Sequence, residues 1–402
     1  MIRRAAELAR LAARDVRPAA TIALGCAAAS TGVVIPVLRP LVEDTGHGTL
    51  AAGVFSAAHV LGGAVGAALG ARALRRAGSP RRLAAAALLA SVVVTLAMAA
   101  VGSLELRIAL RFLDGGCHLL AITALVAAAT AGDPDQRARR AVILGVAIVL
   151  GVAGGLGIGT RFVRPAPALV AAAVLSAAAL ATVLARIAAE PAPARTRPAR
   201  DRGPIAPGLL AFCERFSFGS MTVAMSFLAS PARVGLVLGV FLVASVLSLG
   251  AAWRYAPALG PRRLAVRSAI GFTLALACAA AIDVLGSPAI AAIWAVVAGA
   301  AAGSLYASAL VLATRSAEIE DRARGMATVH AAGSAGHALG ALSAGTLAFA
   351  LPGMLVIAVP GVAVIAAAAI GVWLTVPEAT ADCPVINALD PPAADRSDQP
   401  VT

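Results

Sequence analysis

The chain has 402 residues, 60% of them hydrophobic and only 13% charged, and it carries a net charge of +13. Water-soluble globular domains have about 25% charged residues, so this composition excludes a soluble enzyme or a soluble binding module. The net charge alone would suit nucleic acid, but all 33 basic residues are arginine, and their positions give the charge another meaning.

A bilayer span takes about 20 mostly apolar residues. The sequence predicts twelve, over 18–38, 50–73, 83–102, 107–131, 141–161, 167–187, 207–229, 234–253, 265–285, 289–313, 325–348 and 353–375. Ahead of them, residues 1–17 are basic. They resemble the start of a signal peptide, though the simpler reading is a cytoplasmic segment before an uncleaved first span. Proline and glycine punctuate the joints, as at Gly78-Ser79-Pro80, Gly260-Pro261 and Gly286-Ser287-Pro288. Residues 189–207 are rich in proline and arginine and read as a cytoplasmic linker between an N-terminal bundle, 18–188, and a C-terminal bundle, 208–376. The polar tail, 377–402, reads as a disordered cytoplasmic segment. The five cysteines are not spaced as metal ligands, which predicts neither a disulfide framework nor a zinc site.

Cytoplasmic connections of membrane proteins collect arginine. With the N-terminus inside, 26 of the 33 arginines fall on one side of the twelve spans. Arg39, Arg107, Arg161, Arg164 and Arg233 fall opposite, and Arg111 and Arg215 lie within spans. The charge is thus a topology signal for an even number of spans with both termini cytoplasmic. Nucleic acid drops out as a partner, and the lipid bilayer takes its place.

The two halves echo each other. "GSPRRLA" at Gly78 returns as "GPRRLA" at Gly260, and "QRARR" at Gln136 returns as "DRARG" at Asp321. Gly151-x-x-x-Gly155 returns as Gly336-x-x-x-Gly340, and Cys26-x-x-x-Ser30-x-Gly32 as Cys213-x-x-x-Ser217-x-Gly219. Two six-span halves with short basic loops after the second and eighth spans resemble the major facilitator superfamily. The loop around Gly78, Arg81 and Arg82, and its echo around Gly260, Arg262 and Arg263, are similar to the family's gating loops but lack their aspartate. Arg111-Phe112-Leu113-Asp114-Gly115-Gly116 resembles the fourth-span signature, with aspartate in place of glutamine. Gly151 to Gly159 resembles the fifth-span signature of the antiporter branch, with Leu156 in place of proline. The resemblance implies an all-α integral membrane fold of two pseudo-symmetric six-helix bundles. It also implies a monomeric secondary transporter in the plasma (inner) membrane that exports a small organic compound by proton coupling. A symporter, a uniporter or a transporter-derived sensor is the alternative.

Arg107, Arg111, Asp114 and His118 are spaced 4, 3 and 4, which sets them on one helical stripe. Facing lipid, each charge would cost about 2.5–3.5 kcal/mol at the bilayer centre, so the stripe must face the protein interior. Arg107 reads as interfacial. Arg111 and Asp114 read either as a structural ion pair or as a substrate or proton site. Burial and an arginine neighbour act on a carboxylate in opposite senses, which suits a group that gains and loses a proton. His118 is equally a core histidine or a proton relay. In the seventh span, Glu214 is a cavity candidate, while Arg215 reads as reaching the surface. Phe212 and Phe216 form either ordinary packing or an aromatic wall for a substrate. His59, Tyr306, His330 and His337 read as isolated polar groups, and Asp283 as interfacial. The glycines Gly151, Gly155, Gly159, Gly336 and Gly340 are small enough to let helices approach closely. No metalloprotease motif, nucleophile elbow or nucleotide-binding loop occurs, so neither enzyme chemistry nor a cofactor is expected.

Overall fold

The computed structural model of the protein describes residues 18–129, 134–187, 205–281, 284, 286–313 and 319–376. The basic N-terminal segment, most of the linker, Asp283, Cys383 and the polar tail lie outside the described residues. All regular structure among those described is helical. We number the long helices α1 (Pro18–Glu43), α2 (Thr49–Ala77), α3 (Pro80–Ala100), α4 (Leu104–Ala129), α5 (Pro134–Gly159), α6 (Pro165–Arg186), α7 (Ile205–Leu228), α8 (Pro231–Leu259), α9 (Pro261–Ala281), α10 (Pro288–Ala313), α11 (Ile319–Leu347) and α12 (Leu355–Thr375).

Several boundaries move from their predicted places for identifiable reasons. Proline is tolerated in a helix's first turn, where its missing N–H has no partner to lose. Seven of these helices begin on proline, at Pro18, Pro80, Pro134, Pro165, Pro231, Pro261 and Pro288. The predicted linker ends at 207, yet α7 begins at Ile205 and takes Pro207 into its first turn. Inside α1, Pro36 interrupts the hydrogen-bond ladder, and the helix passes through a tight turn at Ile35–Val37 before resuming to Glu43.

Nine of the helices are long and apolar enough to cross a membrane, and Ile143–Gly159 of α5 is a shorter apolar stretch. Neither α7 nor α11 is among the nine. These two pack on each other more extensively than any other pair. Helices that face protein can carry the polar residues that a lipid-facing helix cannot.

Packing within the halves repeats. In the first half α1 packs on α5 and α6, α2 on α4, and α3 on α4 and α6. In the second, α7 packs on α11 and α12, α8 on α10, and α9 on α10 and α12. Each contact is matched by the helix six places later. The halves then join by two equivalent seams, α2 on α11 and α5 on α8.

Glycine sets the closest approaches. Gly151, Gly155 and Gly159 of α5 lie against the carbonyls of Gly25, Ala29 and Val33 on α1. Gly336 and Gly340 of α11 lie against those of Phe212 and Phe216 on α7. The match extends to the partner helices: Gly32 of α1 meets the Val152 carbonyl, and Gly219 of α7 meets that of His337. A side chain at any of these positions would overlap backbone, which cannot rotate out of the way. Gly78 and Gly260 end α2 and α8 with φ of +67° and +72°, a left-handed conformation that costs glycine nothing.

Candidate functional site: two buried charge pairs and a one-ended seam

The first buried pair is on α4. Arg111 Nη1 lies 2.8 Å from Asp114 Oδ2. Ser91 Oγ donates to Asp114 Oδ1 at 2.7 Å and Thr95 Oγ1 donates to the same oxygen at 3.3 Å, both from α3. From α2, His59 Nδ1 lies 3.4 Å from Oδ2. Three helices therefore converge on one carboxylate that is 5% exposed. The Arg111 guanidinium carbon is 5.5 Å from the centroid of the Phe55 ring. His118 lies beside this cluster, its ring 5.6 Å from that of His59 and its Nε2 3.4 Å from Thr31 Oγ1. The structure thus brings together Arg111, Asp114 and His118 and adds His59, Ser91, Thr95 and Thr31.

Arg107 sits at the arginine-poor end, beside the chain turns that precede α2 and α4. It is 6% exposed and donates from Nε to the Val101 carbonyl at 2.8 Å and from Nη1 to the Leu41 carbonyl at 3.1 Å, with Asp44 at 3.5 Å. Its five fixed donors bind the end of α1 to the start of α4.

The second pair is on α7. Glu214 is 8% exposed, and Arg215 Nε lies 3.2 Å from its Oε2. The Arg215 side chain remains 36% exposed while it pairs with Glu214. Its guanidinium carbon sits 5.5 Å from the centroid of the Tyr306 ring on α10, and its stem runs past Gly333 of α11, where a Cβ would lie 3.2 Å from Cγ. The long arginine arm curls back along the helix, so successive residues meet at their tips although their Cβ atoms diverge by about 100°. His330 and His337 lie about one helical turn either side of Gly333 on α11. Phe212 and Phe216 stack with ring centroids 6.1 Å apart. Phe216 is 5% exposed and belongs to the core. His337 rests on Phe218, ring to ring at 5.8 Å.

The basic loops tie helices within each half. Arg81 Nη2 donates to the Leu184 carbonyl at 2.6 Å, fastening α3 to α6. Arg262 stacks 4.0 Å above the Trp373 ring, fastening α9 to α12. Arg82 and Arg263 are exposed.

Among the described residues, several contacts join the halves at the arginine-poor end. Thr49 Oγ1 donates to the Gly345 carbonyl at 3.1 Å, and a Cβ on Gly53 would lie 2.6 Å from the Ala341 oxygen. On the other seam Gly235 lies against Thr160. Between them Ser226 Oγ donates to the Ile35 carbonyl at 3.3 Å, and the Arg39 guanidinium sits 5.9 Å from the Phe227 ring centroid. Two bundles related by a repeat thus meet along two seams, with a buried charge pair in each half.

The chain has a major facilitator fold. The family model described as Major Facilitator Superfamily matches residues 207–385. A point-mutant form of the nucleoside transporter NupG superposes with a TM-score of 0.71 at 11% identity, covering 90% of this chain and 100% of its own. A D-xylose-proton symporter gives 0.71 at 16% identity, covering 91% and 98%. The human organic anion transporter MFSD10 (TETRAN) gives 0.63 at 16%, covering 89% and 99%. No curated protein sequence matches the chain. The solved structures that share this fold are those of transporters.

Among the described residues there is no cluster of three or more side chains able to hold a metal ion. Sequence reasoning missed Ser91 and Thr95, although two hydroxyls one turn apart in an otherwise apolar span were a readable signal. It also treated His59 and Tyr306 as isolated, because each partner comes from another helix.

Proposed function

We propose that the chain is a proton-coupled secondary transporter that moves a small organic compound across the plasma (inner) membrane by alternating access. The observation that carries this reading is the pair of matched bundles that meet along two equivalent seams, each with an ionisable pair buried within it. The arginine-rich end is cytoplasmic by charge bias, so both termini are cytoplasmic and the fastened end is the outer one. Twelve crossings follow if α5, α7 and α11 span with the nine helices that are apolar enough alone.

The two charge pairs divide the work. Asp114 is held by an arginine and two hydroxyls, so both its oxygens are already partnered. We assign it to holding α2, α3 and α4 together. Glu214 has a buried oxygen, Oε2, without a hydrogen-bond partner, and we assign it to carrying the proton. Arg81 and Arg262 hold each half rigid while the halves rock. Proton coupling also accords with the fold shared with a D-xylose-proton symporter. Export is what the fifth-span resemblance implies. Symport is favoured by one observation, the pairing of Glu214 with Arg215, because a proton on Glu214 frees the guanidinium for a substrate.

The test is transport in proteoliposomes with an imposed pH gradient and a trapped pH dye, using a panel of organic anions, cations and neutral compounds. The expected result is compound-dependent proton flux that Glu214→Gln abolishes and Asp114→Asn, where folded, retains. Compound equilibration without proton flux identifies a uniporter and refutes coupling. Folded protein that moves no compound across any gradient refutes transport and favours a sensor.

A further inference from the structure

The Glu214–Arg215 pair is built unlike the Arg111–Asp114 pair. The side chains of Arg111 and Asp114 are both 7% exposed, whereas Arg215 is 36% exposed beside a Glu214 that is 10% exposed. Arg215 has five donors in a planar fork. Glu214 meets its Nε at 3.2 Å without a well-aligned hydrogen bond, and Oε2 has no other partner. The Tyr306 ring of α10 lies against the guanidinium, and Gly333 of α11 leaves room for the arginine stem. The result is a positioned, partly open cation whose counter-ion is itself a group able to take a proton.

The charges around the pair favour one sign of ligand. Tyr306 of α10 lies against the Arg215 guanidinium, and His330 and His337 lie on α11, which packs on α7. Helix α12 carries no ionisable side chain. Among the described residues, the groups these helices bring beside the pair are therefore neutral or can become cationic. A cationic ligand seeking Glu214 would meet Arg215 at contact distance. An anion meets a guanidinium with free donors.

We propose that the substrate is an organic monoanion, bound by Arg215 when Glu214 is protonated. This rests on the reading of the chain as a proton-coupled transporter. One proton adds to a Glu214 oxygen, and the anion replaces that carboxylate as the counter-ion of Arg215. The charge of the occupied site equals that of the empty one, so the low-dielectric interior carries no added charge as the halves rock. On the other side the anion leaves, the proton leaves Glu214, and the pair re-forms. Proton and substrate travel in the same direction, and the transfer is electroneutral.

Binding to the purified protein in weakly buffered detergent solution, with a pH indicator present, tests this. The probes are matched in size and differ in charge: benzoate against benzylammonium, and indole-3-acetate against protonated tryptamine. The expected result is binding of the carboxylates with uptake of one proton per site, and an affinity falling about tenfold per pH unit once Glu214 is ionised. Glu214→Gln should bind the carboxylates with no proton uptake. Arg215→Gln should lose binding and Arg215→Lys should weaken it, with a thermal melt showing each folded. Binding of the ammonium probes with proton release overturns the proposal while leaving proton coupling intact. Carboxylate binding without proton uptake in the parent overturns both. Folded parent protein that binds none of the four overturns the monoanion site alone, since coupled proton flux is read separately in proteoliposomes.

Discussion

Adjacent glycines of α5 should respond to the same substitution with opposite sign. Gly155 faces α1, where an added Cβ would lie 2.8 Å from the Ala29 carbonyl carbon and 2.9 Å from its Cα. Carbon atoms pack best at about 3.5–4.0 Å, so Gly155→Ala must part α1 from α5 by about 1 Å. Overpacking of this kind costs about 1–3 kcal/mol. Better helix propensity returns about 1 kcal/mol, leaving a net loss of up to about 2 kcal/mol, or up to ~30-fold in the unfolding equilibrium. Gly154, one residue earlier, has nothing within 4 Å of its Cβ position. Gly154→Ala should therefore keep the propensity gain and stabilise by up to about 1 kcal/mol. Reversible unfolding in mixed micelles by increasing SDS, followed by the helical circular dichroism signal, reads both variants against the parent. Equal shifts in the same direction would refute the glycine-seam account, because propensity and micelle effects alone would then explain them.

Asp114→Leu leaves Arg111 buried without its carboxylate and should cost about 3–5 kcal/mol, whereas Arg111→Met with Asp114→Leu together should recover most of it; the same SDS titration compares them. Glu214→Gln should fold as the parent does and, in proteoliposomes, make substrate exchange independent of pH while stopping net proton flux. Arg262→Ala removes a stacking contact with a Trp373 that is 54% exposed and should cost only about 0.5–1 kcal/mol, read as a small fall in unfolding midpoint; a loss as large as that of Asp114→Leu would mean that Arg262 holds more than Trp373.

What the sequence disclosed followed from how strongly physics constrains each feature. The halves were legible because two equal packings impose the same demands. Glycine recurs where α5 meets α1 and where α11 meets α7, and positive φ recurs at Gly78 and Gly260. The α4 stripe was legible because its spacing and the cost of charge in lipid leave one inward orientation. Long-range partners were not legible. Nothing in the helical period of α4 announces that His59 of α2 approaches Asp114. A helical wheel fixes the direction of Cβ, so it separates Glu214 from Arg215, but it takes no account of an arm long enough to bring them to 3.2 Å. The carbonyl partners of Arg107 at Val101 and Leu41 were invisible for the same reason.

Alternating access requires the arginine-poor ends of α2 and α11 to part, and a distance between them tests it directly. Spin labels at His47 and Phe349, both exposed beside the Thr49–Gly345 contact, report that separation by pulsed electron resonance in lipid nanodiscs. Spectra would be taken from pH 5 to pH 8, with and without the transported compound. The account predicts two populations, the short one seen here and a longer one, whose ratio changes with pH in the parent and not in Glu214→Gln. A single short distance under every condition would contradict it and describe a static bundle.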